Sequence, residues 1–250
     1  MDQTRKERSY FKFLDALHES GCPICGLIIQ DGLGYLDSLM YERITDVPTR
    51  RELMDSFGLC NCHTWQLSRT PQISAPEMGF AILASSLLKK FDHLAETRGA
   101  GKRRTLKSFF AKKTRTIRSR IKHRPCPVCR YVARFESYRL KEVLDYLPEE
   151  EFFQMYGASQ GICLPHFLLA EESYSDHPNF DLLLEVQATK ARSLMDTLER
   201  FVEKHDHRWR DKLTSDEQKA SRVAMEFLSG KPGMFSSDVP HVPSRQGRGR

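Results

Sequence analysis

A duplicated cysteine motif constrains the fold of this chain more than any other feature. The sequence Cys-Pro-x-Cys occurs at residues 22–25 and again at 126–129. A Gly-x-Cys-x-x-His element follows each copy, at residues 58–63 and 161–166. The gap between the second and third cysteine is 34 residues in one copy and 33 in the other. Two short motifs at matched separations indicate an internal repeat.

The residue types and their spacing predict one metal site in each copy. Two thiolates separated by two residues can face one ion, and a later Cys-x-x-His supplies the other half of a tetrahedral shell. We therefore expect two structural Zn²⁺ ions. The predicted sites are Cys22, Cys25, Cys60 and His63, and Cys126, Cys129, Cys163 and His166. Cys62 aligns with Pro165 in the repeat, so we interpret it as a bystander or an alternative ligand.

Two redox hypotheses remain open for the same cysteines. Cys-x-x-Cys at a helix start is also the arrangement of thiol–disulfide oxidoreductases, which would use Cys22 with Cys25 and Cys126 with Cys129. An iron–sulfur cluster could use the same ligands, although three cysteines and one histidine are more typical of zinc. The N-terminus lacks the apolar core of a signal peptide, and no apolar run is long enough to cross a bilayer. We therefore expect a cytoplasmic protein with reduced thiols.

The motifs argue against an enzyme without excluding one. A catalytic zinc site normally has three protein ligands and leaves a fourth position open to water, whereas each copy here offers four. The deaminase pattern requires an upstream His-x-Glu, and residues 18–20 read His-Glu-Ser instead. Phosphate-binding loops and the Gly-x-Ser-x-Gly motif are also missing from the sequence. We assign no catalytic residue.

Helical periodicity predicts an all-α fold. Each Cys-Pro-x-Cys pair is expected to open a helix, because proline suits the first helical position and the helix dipole stabilises thiolates there. The Cys-x-x-His elements are likewise expected at helix starts. Residues 76–95 form a predicted helix, and a longer one carries an apolar stripe expected to face the core. That stripe comprises Leu184, Ala188, Ala191, Met195, Leu198 and Val202.

A basic segment interrupts an otherwise acidic chain. Residues 98–124 contain 12 Lys or Arg and no Asp or Glu, while the whole chain carries +6. The functional interpretation is contact with nucleic-acid phosphates or an acidic protein. A solvated linker, a helix face packed on the acidic remainder, or a membrane surface are the alternatives. The candidate nucleic-acid-binding residues are Arg103, Arg104, Lys107, Lys112, Lys113, Arg115, Arg118 and Arg120.

The paired motifs resemble those of a bacterial domain-of-unknown-function family, number 6062. Residues 201–211 look like that family's Phe-x-x-Lys-x-Asp-x-Arg segment, and residues 224–230 look like its closing helix. The resemblance implies a helical metal-binding protein but supplies no activity. We expect two repeated helical modules, each tied by its own metal site, with C-terminal helices. Their predicted bounds are 8–97 for the first, 98–124 for the basic connection, 125–230 for the second and 231–250 for a disordered basic tail.

Overall fold

The computed structural model describes residues 3–69, 73, 76–100, 124–204 and 213–234. These residues form ten α-helices and no strand, which confirms the predicted all-α class. The candidate nucleic-acid-binding residues, most of the C-terminal tail and residues 205–212 lie outside the described residues. The helices are α1 Gln3–His18, α2 Pro23–Tyr41, α3 Val47–Asp55, α4 Asn61–Arg69, α5 Pro76–Ala100, α6 Pro127–Tyr146, α7 Glu150–Ala158, α8 Leu164–Tyr174, α9 Phe180–Glu203 and α10 Ser215–Ser229.

The helix starts follow local sequence chemistry. Proline is the first residue of α2, α5 and α6, where the missing N–H costs no intrahelical hydrogen bond. Asp46 caps α3 by accepting a hydrogen bond from the Thr49 N–H at 3.0 Å. Thr214 and Glu217 form a reciprocal capping box at the start of α10. Both predicted helix starts at the Cys-Pro-x-Cys pairs are confirmed, as are those at the Cys-x-x-His elements.

The helices belong to two compact units, and each unit contains residues from both copies of the repeat. The first unit is Met1–Asp31 with Ala133–Ser236. Within it α1 packs on α7, while α10 packs on α8 and α9. Its core includes Phe13, Tyr146 and Phe152, whose ring centroids lie 5.7–6.2 Å apart. Phe13 packs edge-to-face on both other rings, an arrangement that adds to the hydrophobic stabilisation.

The second unit is Gly32–Val132. Within it α3 packs on α5, and the buried core takes leucines from α2, α3, α4 and α5. Gly79 of α5 permits a close approach to α2, because a Cβ at this position would lie 2.7 Å from the Met40 carbonyl oxygen. The predicted module bounds along the sequence stay a prediction.

The long helix α9 is present as predicted, but its predicted inward stripe is wrong. Leu184, Met195 and Val202 are 45–68% exposed, whereas Leu183 and Gln187 are buried. The buried face is thus the neighbouring stripe of the same helix. A period of 3.6 residues identifies a helix, but when two adjacent stripes are partly apolar only packing partners decide which one turns inward.

None of the described helices combines the length and apolarity needed to cross a bilayer.

Candidate metal centres

The first cluster of ligand residues lies in the first compact unit. It comprises Cys22, Cys25, Cys163 and His166, which are all buried. The Nδ1 atom of His166 lies 3.4 Å from Cys22 Sγ, 3.5 Å from Cys25 Sγ and 3.1 Å from Cys163 Sγ. The Sγ atoms of Cys25 and Cys163 are 3.8 Å apart. Four potential ligand atoms thus point at one common centre.

The second cluster lies in the second compact unit and repeats this arrangement. It comprises Cys60, His63, Cys126 and Cys129. The Nδ1 atom of His63 lies 3.1 Å from Cys60 Sγ, 3.7 Å from Cys126 Sγ and 3.3 Å from Cys129 Sγ. Here Cys60 and Cys129 are only half-buried, so solvent reaches this cluster more easily.

The pairing of the motifs differs from the sequence prediction. We expected Cys22 and Cys25 to share an ion with Cys60 and His63, but the structure brings them together with Cys163 and His166. The pair at residues 126–129 correspondingly meets Cys60 and His63. The within-copy pairing is therefore wrong. The spacing within each copy allows a shared ion but does not require one. Packing within each compact unit selects the exchanged combination.

The distances in both clusters suit a single tetrahedral ion. With bonds of about 2.3 Å to sulfur and about 2.0 Å to nitrogen, a tetrahedral zinc ion holds sulfur atoms about 3.8 Å apart and sulfur and nitrogen about 3.5 Å apart. The observed separations of 3.1–3.8 Å lie close to these values. An iron–sulfur cluster fits less well, because its iron and sulfide atoms would push the thiolates further apart. The two Cys/His clusters can each hold one metal ion.

Helix starts supply the ligands of both clusters. Each Cys-Pro-x-Cys pair lies where α2 or α6 begins, and each Cys-x-x-His element lies where α4 or α8 begins. Cysteine and histidine three residues apart share a helix face, so one helical turn presents both side chains to the same point. The exposed N–H groups of these first turns favour negative charge on the sulfur atoms.

The charge balance of the clusters favours a cation. In the second cluster, hydrogen bonds from Cys126 and Cys129 hold the pKa of Cys60 far below its usual range. Burial lowers the pKa of His63, but hydrogen bonds with Cys126 and Cys60 outweigh burial and raise that pKa to about 9. Burial raises the pKa of Cys22, yet hydrogen bonds within the first cluster lower it well below the usual range. The same hydrogen bonds raise the pKa of Cys129 and Cys163 far above the usual range, so each cluster contains one thiol that favours the thiolate form and one that keeps its proton. A metal ion would replace these protons as the positive partner of the sulfur atoms.

Glu136 supports the first cluster from behind its histidine. Its Oε1 atom lies 2.9 Å from His166 Nε2, and both side chains are buried. Because a carboxylate can only accept, the imidazole donates this hydrogen bond and leaves Nδ1 free to bind a metal. Carboxylate–histidine pairs of this kind orient metal ligands and make them more basic.

The clusters and their surroundings lie within a region that matches a known family. The sequence model of a family of unknown function (DUF6062) matches residues 10–233. This span covers most of the 250 residues and includes all eight clustered ligand residues. The chain belongs to DUF6062. The resemblance predicted from the cysteine motifs is thus confirmed.

One curated relative has a similar length. It is an uncharacterised 23.9 kDa protein in the xynA 3′ region of Caldicellulosiruptor sp. (strain Rt8B.4). The two sequences are 25% identical over 219 residues, which make up 87% of this chain and 98% of the relative. No solved structure gives a significant match. Neither the DUF6062 description nor this relative assigns an activity.

Sequence reasoning missed two residues that support the first cluster in this DUF6062 member. Glu136 lies seven residues after Cys129 on a helix with many charged residues, so nothing in the sequence singles it out. Gln187 is buried on α9, donates a hydrogen bond to the Ile162 carbonyl at 2.7 Å and accepts one from the Ile162 N–H at 3.3 Å. It thereby fixes the loop that carries Cys163. The sequence signal that could have identified Gln187 is its position as a polar residue within the apolar pattern of a predicted helix.

Cys62 is not a member of either cluster. Its side chain is half-buried, and burial together with the negative charge of Cys60 and Cys126 raises the pKa of its thiol. The thiol of Cys62 therefore favours its protonated form, in contrast to Cys60, whose pKa is lowered. This position agrees with the bystander interpretation more closely than with a ligand role.

Proposed function

We propose that this DUF6062 member is a non-enzymatic zinc-binding protein in which each cluster holds one structural Zn²⁺. The observation that carries the proposal is the convergence of three sulfur atoms and one imidazole nitrogen at two separate centres. Four protein ligands fill a tetrahedral shell and leave no position for a substrate. Metal binding of this kind can contribute on the order of 10 kcal/mol of apparent folding free energy.

Each ion would join distant parts of the sequence. Closing one site holds residues 22–25 next to residues 163–166, and closing the other holds residues 60–63 next to residues 126–129. Links across such long stretches of chain restrict the unfolded state strongly, since the entropy cost of loop closure rises with loop length. Zinc would therefore act by stabilising the helical fold.

Metal analysis tests the zinc proposal. Protein purified without added metal or chelator should contain about two zinc per chain and show no visible absorption, since one ion fills each four-ligand site. Cys25→Ser and Cys129→Ser should each remove about one zinc, whereas Cys62→Ser should remove none. Iron with sulfide, or metal-free protein with disulfides at residues 22–25 and 126–129, would support the redox hypotheses instead.

We further propose that the protein is a cytoplasmic adaptor that binds nucleic acid or an acidic protein through residues 98–124. The support is the charge of this segment, which has 12 basic residues and no acidic one. Neutralising phosphates with Lys and Arg releases counterions, so binding should weaken steeply as salt rises.

A charge-reversal variant tests the adaptor proposal. Replacing Arg103, Arg104, Lys112 and Lys113 with Glu should abolish salt-sensitive binding to RNA and DNA oligonucleotides, measured by fluorescence anisotropy. The matched control reverses four exposed basic residues elsewhere: Lys12, Lys89, Arg134 and Lys219. Both variants should keep two zinc ions. If the first variant binds the oligonucleotides as tightly as the wild-type protein, residues 98–124 do not bind nucleic acid. Binding of an acidic protein is then compared between the first variant and the control variant.

A further inference from the structure

We propose that the two metal centres differ in permanence, with the first cluster keeping its zinc and the second acting as an exchangeable zinc site. This inference rests on the proposal that both clusters hold zinc. Three independent features of the described residues distinguish the clusters: the burial of the ligands, the group behind the histidine, and the support of the loop before the third cysteine.

The two clusters differ first in how deeply their cysteine and histidine side chains are buried. All four ligand residues of the first cluster are between 0% and 3% exposed. In the second cluster Cys60 and Cys129 are half-buried, so their sulfur atoms are nearer to solvent. Zinc leaves a thiolate site when water or a competing ligand attacks the ion. Access to that ion is therefore easier in the second cluster.

The two clusters differ second in the hydrogen-bond partner of the histidine Nε2 atom. His166 donates to the buried carboxylate of Glu136. Among the described residues, no side chain accepts a hydrogen bond from the Nε2 atom of His63. The repeat itself explains this difference, because Glu136 lies seven residues after Cys129 and the position seven residues after Cys25 is Gly32. A carboxylate behind a histidine ligand typically changes metal affinity by about 10- to 100-fold.

The position of Gly32 is tight for any side chain. A Cβ at this glycine would lie 3.2 Å from Cγ1 of Val132. A side chain at this position would require a shift of that valine, which packs on the buried core of the second unit. The asymmetry is therefore built into the helix packing of this chain.

The third difference is the loop before each Cys-x-x-His element. Before Cys163, the backbone of Ile162 is held by Gln187 of α9, and Gln187 in turn accepts a 2.7 Å hydrogen bond from Tyr156. Before Cys60, the hydrogen bonds are local: the Gly58 N–H donates to Leu53 at the end of α3. Phe57 in this loop has φ of 58°, a backbone conformation that is unfavourable for residues other than glycine. The loop of the second cluster is thus less firmly supported.

Zinc release from the intact protein provides the test. With a chromophoric chelator in excess, the wild-type protein should release its two zinc ions in two phases that differ at least about tenfold in rate. Cys129→Ser should lack the fast phase and Cys163→Ser the slow phase. Glu136→Gln should accelerate only the slow phase, by about 10- to 100-fold. Glu171→Gln, an exposed glutamate of α8, is the matched control and should change neither phase.

A second measurement does not depend on any variant folding. N-ethylmaleimide applied to the zinc-loaded wild-type protein, followed by mass spectrometry, should label Cys60 and Cys129 well before Cys22, Cys25 and Cys163. Labelling of Cys62 is left out of the comparison, because this cysteine belongs to neither cluster. The order of labelling reports which zinc–thiolate centre opens first.

The outcomes distinguish this inference from the proposal beneath it. Two zinc ions released in a single phase, or labelling of Cys22 and Cys163 first, would overturn the inference and leave structural zinc binding intact. A protein purified with no zinc, and unable to bind it, would overturn both. A Glu136→Gln variant with unchanged release from the first cluster would remove the role assigned to that carboxylate.

Discussion

Gly161 shows how a single residue positions Cys163, a member of the first cluster. It lies two residues before Cys163 with φ of 72°, in the left-handed region that glycine adopts without strain. A Cβ at this position would overlap the Oε1 atom of Gln187. The absence of a side chain therefore lets the loop approach α9 closely enough for Gln187 to bind the Ile162 backbone.

Gly161→Ala should destabilise the protein by about 1–3 kcal/mol, because a left-handed alanine is strained and displaces Gln187. Chemical denaturation at constant zinc measures the effect. Gly157→Ala is the matched control, since Gly157 lies in α7 with nothing within 4 Å of its Cβ position. The control should be neutral or stabilising by up to about 1 kcal/mol. Equal effects of the two substitutions would contradict this role of Gly161.

At the scale of helices, a buried ion-pair network joins three elements of the first unit. Arg139 of α6 lies 3.2 Å from the Asp31 carboxylate of α2 and 2.9 Å from the Glu142 carboxylate one turn along its own helix. It also donates to Ser9 of α1. Arg139 and Glu142 are buried, so each charge depends on the other for compensation.

Arg139→Met should lower the free energy of unfolding by about 3–5 kcal/mol, since it leaves the Glu142 carboxylate buried without its cation. Lys141→Met on the same helix is the control. Lys141 pairs with Asp145 on the surface, and such pairs contribute at most about 1 kcal/mol. Thermal or urea unfolding compares the two. A small loss for Arg139→Met would show that water or a protonated Glu142 relieves the buried charge.

The start of α10 makes a prediction about pH. A hydrogen-bonded ion pair with Lys204 at 2.8 Å, together with the Thr214 N–H, lowers the pKa of Glu217 below its usual range. The folded state therefore favours the carboxylate more than the unfolded state does. Its stabilising contribution is present above the unfolded pKa of about 4.3 and is lost as pH falls through the lower folded value.

Glu217→Gln should remove this part of the pH dependence. Between about pH 5 and pH 3, the wild-type protein should lose stability more steeply than the variant. Loss of any bound metal at acid pH would affect both proteins, so the difference between them isolates Glu217. Glu203→Gln changes an exposed residue of α9 and should follow the wild-type curve. Parallel curves for wild type and Glu217→Gln would contradict the prediction.

At the scale of the whole molecule, the exchanged pairing predicts what happens when the chain is cut. Each cluster takes two ligands from before residue 101 and two from after residue 123. Cleavage at a specific protease site introduced after Ser108 would break the covalent link between the two copies of the repeat. The fragments should nevertheless elute together without denaturant and keep both zinc ions.

Size-exclusion chromatography with metal analysis measures this outcome. Denaturant with chelator should separate the fragments, which controls for incomplete cleavage. Fragments that elute separately with one zinc each would restore the pairing within each copy. That result would contradict the exchanged arrangement directly.

The amino-acid pattern predicts the eight residues of the two Cys/His clusters, the all-α class and the positions where four helices begin. These features are local. Proline at the first turn, the three-residue spacing of cysteine and histidine, and the preference of thiolates for helix starts act within a few residues of one another. Local chemistry of this kind can be read from the chain without knowing its partners.

Helix packing sets how the cysteine and histidine motifs pair, which stripe of α9 faces inward and which glutamate supports a histidine. Residues 22–25 could meet residues 60–63 across 34 residues or residues 163–166 across 137 residues, and either choice brings three cysteines and one histidine together. Glu136 and Gln187 acquire their roles from side chains that are far away in sequence. These choices depend on the packing of whole helices, because burial and long-range hydrogen bonds are properties of the assembled core rather than of any segment.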